Sequence, residues 1–143
     1  MSPPRRSSAR RANPALVIDA SAALELLLKS PSGERLLDRL EDGAAAHAPH
    51  LIDVEIAHVL RRQLRHGAVG AGRAEACLTL WRQLDIERHP HEHLLERIWR
   101  RRANLTAYNA TYVALAEVLG QPLVTADRRL AAAPGITVPV EVI

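Results

Sequence analysis

Phenylalanine is absent, tyrosine and tryptophan occur twice each, and aromatics make up 3% of the 143 residues. Modules that read nucleic acid by stacking bases on aromatic platforms are therefore disfavoured. One cysteine, Cys77, excludes an internal disulfide framework. It fits a reducing compartment, so a cytoplasmic location is expected. No apolar run approaches the roughly 20 residues of a membrane span. The best candidate, 16–28, is broken by Asp19 and Glu25, so no membrane role is expected. Lysine occurs once, at Lys29, and the positive charge is otherwise arginine.

What is present supports a globular fold. Hydrophobic residues are 48% of the chain, enough for one core in a chain of one-domain length. The formal charge is +3, from 19 basic and 16 acidic residues. Arg5, Arg6, Arg10 and Arg11 belong to the opening segment, and without them the count is 15 against 16. The remainder is near neutral. Residues 1–14, rich in Ser, Pro and Arg without apolar periodicity, read as a disordered basic arm, with 15–143 as a single domain.

Within 15–143, short apolar runs alternate with helical periodicity. Residues 15–18 read as a buried strand ending at Asp19, and 20–28 as a helix broken by Pro31-Ser32-Gly33. A second helix is expected over 34–40. A strand at 44–48 is weakly signalled, because it is poor in β-branched residues. A long helix at 51–65 carries Ile52, Ile56, Val59 and Leu60 as its stripe. Helices follow at 71–84, 91–103 and 107–119, the last with Thr106 as N-cap and Gly120 as its stop. The helix at 91–103 is expected to bury Leu94, Leu95, Ile98 and Trp99. Strands are expected near 85–88, 122–125 and 137–143, with a short helix at 128–133. This alternation predicts an α/β sandwich, a parallel sheet covered on both faces. Ligands gather at the carboxyl ends of strands in such folds.

Asp19 and Asp127 each follow a strand and precede a helix, and Glu55 lies in the first turn of the long helix. Any of these could be only a helix cap meeting unpaired N–H groups. Three at predicted strand ends suggest a cluster whose repulsion a divalent cation would relieve. Magnesium takes oxygen ligands from carboxylates, with water and phosphate oxygens completing its shell. The chemistry implied is metal-assisted phosphodiester hydrolysis.

Four blocks carry a resemblance: Val17-Ile18-Asp19-Ala20-Ser21-Ala22; Ile52-Asp53-Val54-Glu55; the run from Leu105 through Tyr108-Asn109-Ala110 to Ala116; and Leu123-Val124-Thr125-Ala126-Asp127-Arg128-Arg129-Leu130. In this order and separation they resemble PIN-domain ribonucleases, and more narrowly the VapC toxins of type II toxin–antitoxin systems. The resemblance implies a PIN-like three-layer α/β/α sandwich with a central parallel sheet of four or five strands. It implies an RNA-cleaving acidic quartet holding Mg2+ or Mn2+, at Asp19, Glu55, Asn109 and Asp127. Ser21 and Thr125 match hydroxyls that support the metal site, or serve only as caps and buried hydrogen-bond partners. It also implies a small antitoxin laid across the acidic groove, docked on the apolar helices of 24–40 and 51–64, and a homodimer.

Asn109 departs from the pattern, since that position is normally Asp. The amide is neutral and offers donors where a metal wants only acceptors. The chain is then either an inactivated variant or a natural protein with altered metal affinity, and an impaired enzyme is expected. Asn109 could also simply satisfy nearby backbone at a helix start. The alternative function is a non-catalytic PIN-fold binding module acting through a protein partner. A receiver-like phosphoacceptor is a poor rival, because it needs two acids at the first strand end and a late lysine. His89, His91 and His93 have alternate spacing and no cysteine partner, so two of the three would point apart on a helix and zinc is not expected there. His47, His50 and His58 flank the Glu55 helix and read mainly as surface residues. Arg100-Arg101-Arg102 reads as a solvated face that could touch RNA phosphate. Tyr108 and Tyr112 read as packing. The target RNA is not legible in the sequence.

Overall fold

The run Ala-Leu-Val-Ile has no polar face, so it suits a strand covered on both faces. In the computed structural model, which describes residues 14–143, β1 (Ala15–Ile18) is the central strand of the sheet. All five strands are parallel, in the order β3-β2-β1-β4-β5, with β2 Ala45–Pro49, β3 Ile86–His89, β4 Leu123–Thr125 and β5 Val140–Val142. The chain winds from β1 outward to β3, returns across the sheet to β4, and ends at β5. Right-handed crossovers then place α1 (Ala20–Leu27), α2 (Pro31–Glu41), α3 (Leu51–Arg65) and α4 (Ala71–Gln83) over one face. They place α5 (Leu95–Arg100), α6 (Ala107–Leu119) and α7 (Arg128–Ala131) over the other. The result is the expected three-layer α/β/α sandwich. The basic arm expected over 1–14 lies, but for Pro14, outside the described residues.

Helix α3 follows its apolar stripe. Ile52, Ile56 and Leu60 are buried, and burial of such side chains is worth about 1.5–3 kcal/mol each. Its first turn is pinned by Asp53, which accepts a bidentate pair from Arg88 of β3 (2.7 and 2.8 Å) and Trp81 Nε1–H of α4 (2.6 Å). The Arg88 hydrogen bonds hold the Asp53 carboxyl below its usual range. Helix α6 is capped as expected: Thr106 Oγ1 accepts from Asn109 N–H, and Gly120 takes the left-handed conformation at φ 64°.

Several boundaries differ. Pro31-Ser32-Gly33 opens α2 rather than interrupting the chain. Ser30 is the N-cap, accepting from Gly33 N–H (3.0 Å), and Pro31 occupies the first turn, where its missing N–H costs nothing. Gly33 is there because α2 crosses α1 closely: a Cβ would lie 2.0 Å from the Glu25 carbonyl oxygen. Strand β2 forms despite lacking β-branched residues, because it lies between β1 and β3 with Ala46 and Ala48 buried. The helix expected at 91–103 shortens to a 3-10 turn (Glu92–Leu94) and α5. Of its expected buried side, Leu94 and Ile98 are in the core, whereas Leu95 and Trp99 are 64% and 67% exposed. The last strand shortens to Val140–Val142, starting after Pro139, which has no N–H to donate to the ladder.

Candidate active site

Strands β1 and β4 are neighbours in register, Val17 with Leu123 and Ile18 with Val124, so Asp19 and Asp127 leave the same edge of the sheet. Each caps the helix that follows. Asp19 Oδ1 accepts from Ala22 N–H (2.9 Å) at the start of α1, and Asp127 Oδ1 from Arg129 N–H (2.9 Å) at the start of α7. The capping role is real for both, yet it accounts for only part of their surroundings.

Asp19 is 3% exposed and is held by two hydroxyls besides its cap. Ser21 Oγ–H donates to Oδ1 (2.6 Å) and Thr125 Oγ1–H donates to Oδ2. These hydroxyls in turn accept backbone protons: Ser21 Oγ from Ala126 N–H (2.9 Å), and Thr125 Oγ1 from Asp127 N–H (3.0 Å). The network stitches the ends of β1 and β4 together and fixes the Asp19 carboxylate. Oδ1 receives two donors and Oδ2 one, so lone-pair capacity remains on Oδ2. Burial pushes the Asp19 carboxyl above its usual range; the three hydrogen bonds oppose this, and the charge of Asp127 adds to it.

Glu55 enters from α3. Its Oε1 is buried without a hydrogen-bond partner, and so is the hydroxyl of Tyr112 on α6, which lies beside it. Burial raises the Glu55 carboxyl; the Tyr112 hydroxyl opposes the shift and Asp19 reinforces it. The Tyr112 hydroxyl is itself raised, by burial and then by Glu55. The structure thus brings Asp19, Glu55 and Asp127 together with Ser21 and Thr125. Asn109 stands one turn before Tyr112 on the same side of α6, half-buried. It is not the cap of α6, since Thr106 fills that place. Tyr112 is packing, as expected, but its hydroxyl also belongs to the acidic cluster. Only its i+3 spacing from Asn109 signalled this in the sequence.

The arginine run is engaged rather than free. Arg100 pairs with Glu96, Arg101 with Glu117 and with the Gly135 carbonyl (2.9 Å), and Arg102 lies over the Trp99 ring at 5.0 Å. His58 lines a groove of about 340 Å³ with Leu51, Val54, Glu55, Val59 and Tyr108. His89 ends β3, and its neighbour is His47 of β2 rather than His91 or His93.

Three carboxyl groups near one sheet edge, of which Asp19 and Glu55 are raised by burial and Glu55 also keeps an orphaned buried oxygen, form an all-oxygen donor set. That donor set fits a hard divalent cation such as Mg2+ or Mn2+.

A parallel five-stranded sheet between two helix layers, with acidic residues at its strand ends, is an arrangement shared with known proteins. The sequence model of the PIN domain matches residues 16–136, so the chain belongs to the PIN-domain family. Within it the chain belongs with the VapC ribonucleases. It is 49% identical over 117 residues to Ribonuclease VapC9 of Mycobacterium tuberculosis, covering 80% of this chain and 87% of that protein. Two solved structures share the fold. PAE2754 from Pyrobaculum aerophilum has a TM-score of 0.68 at 24% identity, covering 98% of this chain and 93% of that one. VapBC2 from Rickettsia felis, bound to a DNA fragment from their promoter, has a TM-score of 0.68 at 10% identity, covering 90% and 98%.

Proposed function

We propose that the chain is the toxin of a type II toxin–antitoxin pair, a cytoplasmic endoribonuclease that uses a divalent cation. Asp19, Glu55 and Asp127 hold the ion, with Asn109 at the fourth position. The observation that carries this reading is the buried, unpartnered Glu55 Oε1 facing a buried, hydroxyl-fixed Asp19. When bound, Mg2+ or Mn2+ supplies a Lewis acid for phosphodiester hydrolysis. The chain's own part is positional. Ser21, Thr125 and the Ala22 N–H hold Asp19 in one orientation, and the Asp127 backbone is tied to the same Thr125 hydroxyl. Glu55 is the residue suited to take a proton at Oε1, because burial raises its carboxyl and that buried oxygen has no hydrogen-bond partner.

Asn109 removes one negative charge from the set. It weakens cation binding and makes the chain an impaired nuclease. The test is cleavage of total RNA by tag-free protein and by Asn109→Asp, each titrated with Mg2+ and Mn2+. The expected result is a gain of at least about 10-fold for Asn109→Asp, since losing even an outer partner of a metal ligand costs about 10–100-fold. Equal rates would remove Asn109 from the metal site. Absence of cleavage by both, with the cation bound, would leave the second reading that Asn109 favours, a non-catalytic PIN-fold module acting through its partner.

That partner is a small antitoxin protein. The likeness of fold to VapBC2 of Rickettsia felis, solved on a DNA fragment from their promoter, supports this. The groove beside Glu55 presents exposed Val54 and Tyr108, suited to an apolar segment carrying an arginine toward the acids. The faces of α1 and α2 are less available than expected: Leu24, Leu26, Leu27 and Leu36 are in the core. Exposed Leu95 and Trp99 supply a surface for the homodimer. No helix of the described residues is long and apolar enough to cross a membrane.

A further inference from the structure

We propose that His47, Glu87 and His89 form a second metal site, selective for a Zn2+-class transition metal, that ties edge strand β3 to β2. The parallel register sets His47 beside Glu87 and Pro49 beside His89. Side chains two apart on a strand share a face, so all three donors point to the α5–α6 side. Arg88, between them in sequence, points to the opposite face, where it is bidentate to Asp53. The carboxylate is therefore left with the two imidazoles.

The donor atoms converge. His47 Nδ1 and His89 Nε2 are 2.9 Å apart, Glu87 Oε2 is 3.4 Å from His47 Nδ1, and Glu87 Oε1 is 4.0 Å from His89 Nε2. All three ligand atoms lie within 4.8 Å of one another. A tetrahedral ion about 2.0–2.1 Å from each nitrogen needs them about 3.3 Å apart, an opening of roughly 0.4 Å that side-chain torsion supplies. A hydrogen bond between two imidazoles leaves one nitrogen bare and the other protonated; a metal needs both bare, so that proton moves to the donor ring's other nitrogen or to solvent as the ion binds. The rings are shielded, with side-chain exposures of 15% and 19%, while Glu87 at 67% leaves the site open for entry and for a further water ligand. Two imidazoles and one carboxylate suit Zn2+ and its neighbours, whereas the acidic cluster at Asp19 is all oxygen and suits Mg2+. The two sites are separate in residues and in preferred ion. β3 is a four-residue strand at the sheet edge, so a cross-strand clamp there adds most where pairing is weakest.

The test is titration of Co2+, then Zn2+, into tag-free protein carrying Asp19→Asn, which disables the acidic cluster. The expected result is one equivalent with visible d–d absorption, unaffected by millimolar Mg2+. It should be displaced by Zn2+ and weakened at least 10-fold in both Glu87→Gln and His89→Gln. Glu87 is exposed, so its variant keeps the fold even if a histidine variant does not. Zn2+ should also raise the thermal midpoint of the parent and leave that of Glu87→Gln unchanged. Absence of the absorption would overturn the site. So would a signal indifferent to Glu87→Gln and His89→Gln, which would assign the binding to other histidines, or one abolished by Mg2+.

Discussion

Thr125→Val tests whether the buried hydroxyl network, rather than the acids alone, builds the site. Valine is nearly isosteric with threonine and suits a strand, so the change removes two hydrogen bonds and little else. Thr125 is fully buried; its hydroxyl donates to Asp19 Oδ2 and accepts from Asp127 N–H. A buried hydrogen bond to a charged group contributes about 1.5–3 kcal/mol, and an orphaned buried N–H costs about 1–3 kcal/mol. The expected loss is therefore about 3–5 kcal/mol, a drop near 10–15 °C in a chain of this size. Thr125→Ser keeps the hydroxyl and gives up one methyl, about 1 kcal/mol. Urea unfolding followed by circular dichroism, at neutral pH without divalent cation, measures both. The charge on Asp19 supplies part of the effect, so in an Asp19→Asn background the cost of Thr125→Val should shrink by about 1–2 kcal/mol. A Thr125→Val loss within about 1 kcal/mol of Thr125→Ser, or full additivity with Asp19→Asn, would refute the reasoning.

Three further outcomes are expected. Gly33→Ala should destabilise by about 1–3 kcal/mol or more, because its Cβ meets the Glu25 carbonyl at 2.0 Å and backbone cannot yield; a melt indistinguishable from the parent would mean α1 and α2 separate freely. Arg101→Ala leaves Glu117, 6% exposed in its side chain, with the Thr137 donors but no cation, and should cost about 3 kcal/mol, whereas Arg100→Ala, whose ion pair is exposed, should change stability by under about 1 kcal/mol. The folded Asp19 carboxyl lies above its unfolded value, so its stability contribution is complete below about pH 4 and is lost as pH rises through the folded pKa. The stability of the parent relative to Asp19→Asn, measured without metal from pH 4 to 8, should accordingly fall as pH rises; a flat or rising difference would show that Asp19 is not strained by burial.

Strand ends and helix caps were legible because they are local. Ala-Leu-Val-Ile before Asp19, Thr106 before α6 and Gly120 after it each act through their own residue and its near neighbours, so their chemistry survives in a one-dimensional reading. Strand β2 was weakly marked because its stability comes from β1 and β3 on either side, which Ala-Ala-His-Ala-Pro does not announce. Pro31 and Gly33 read as a break because the pair usually is one. Here proline occupies the first turn of a helix, and glycine answers the nearby backbone of α1 rather than a turn. The periodicity of 91–103 supported a helix with one apolar side, yet it could not tell a core-facing leucine from an outward one. Leu94 and Leu95 are adjacent in sequence and differ from buried to 64% exposed.

The acidic residues were found by position, but what makes them a site is the cost of holding them together. Capping alone would leave each carboxylate satisfied by the backbone, as Asp127 Oδ1 is by Arg129. Asp19 instead sits in the core, where burial raises its carboxyl despite three donors. Glu55 presents a buried oxygen with no partner beside a tyrosine hydroxyl that also has none. A sheet edge that needed only caps would gain stability by replacing Glu55 with an apolar residue, since the Tyr112 hydroxyl and His58 offset only part of its desolvation. Its placement makes sense when a cation supplies the missing charge. On the proposed function, a neutral amide at position 109 would relieve repulsion within this cluster, so folding would tolerate the departure and the penalty would fall on cation binding. Function and stability therefore pull Asn109 in opposite directions, and Asn109→Asp should strengthen divalent-ion binding while lowering the stability of the metal-free protein. A variant that gained in both, or lost in both, would show that the position lies outside the electrostatic reach of Asp19 and Glu55.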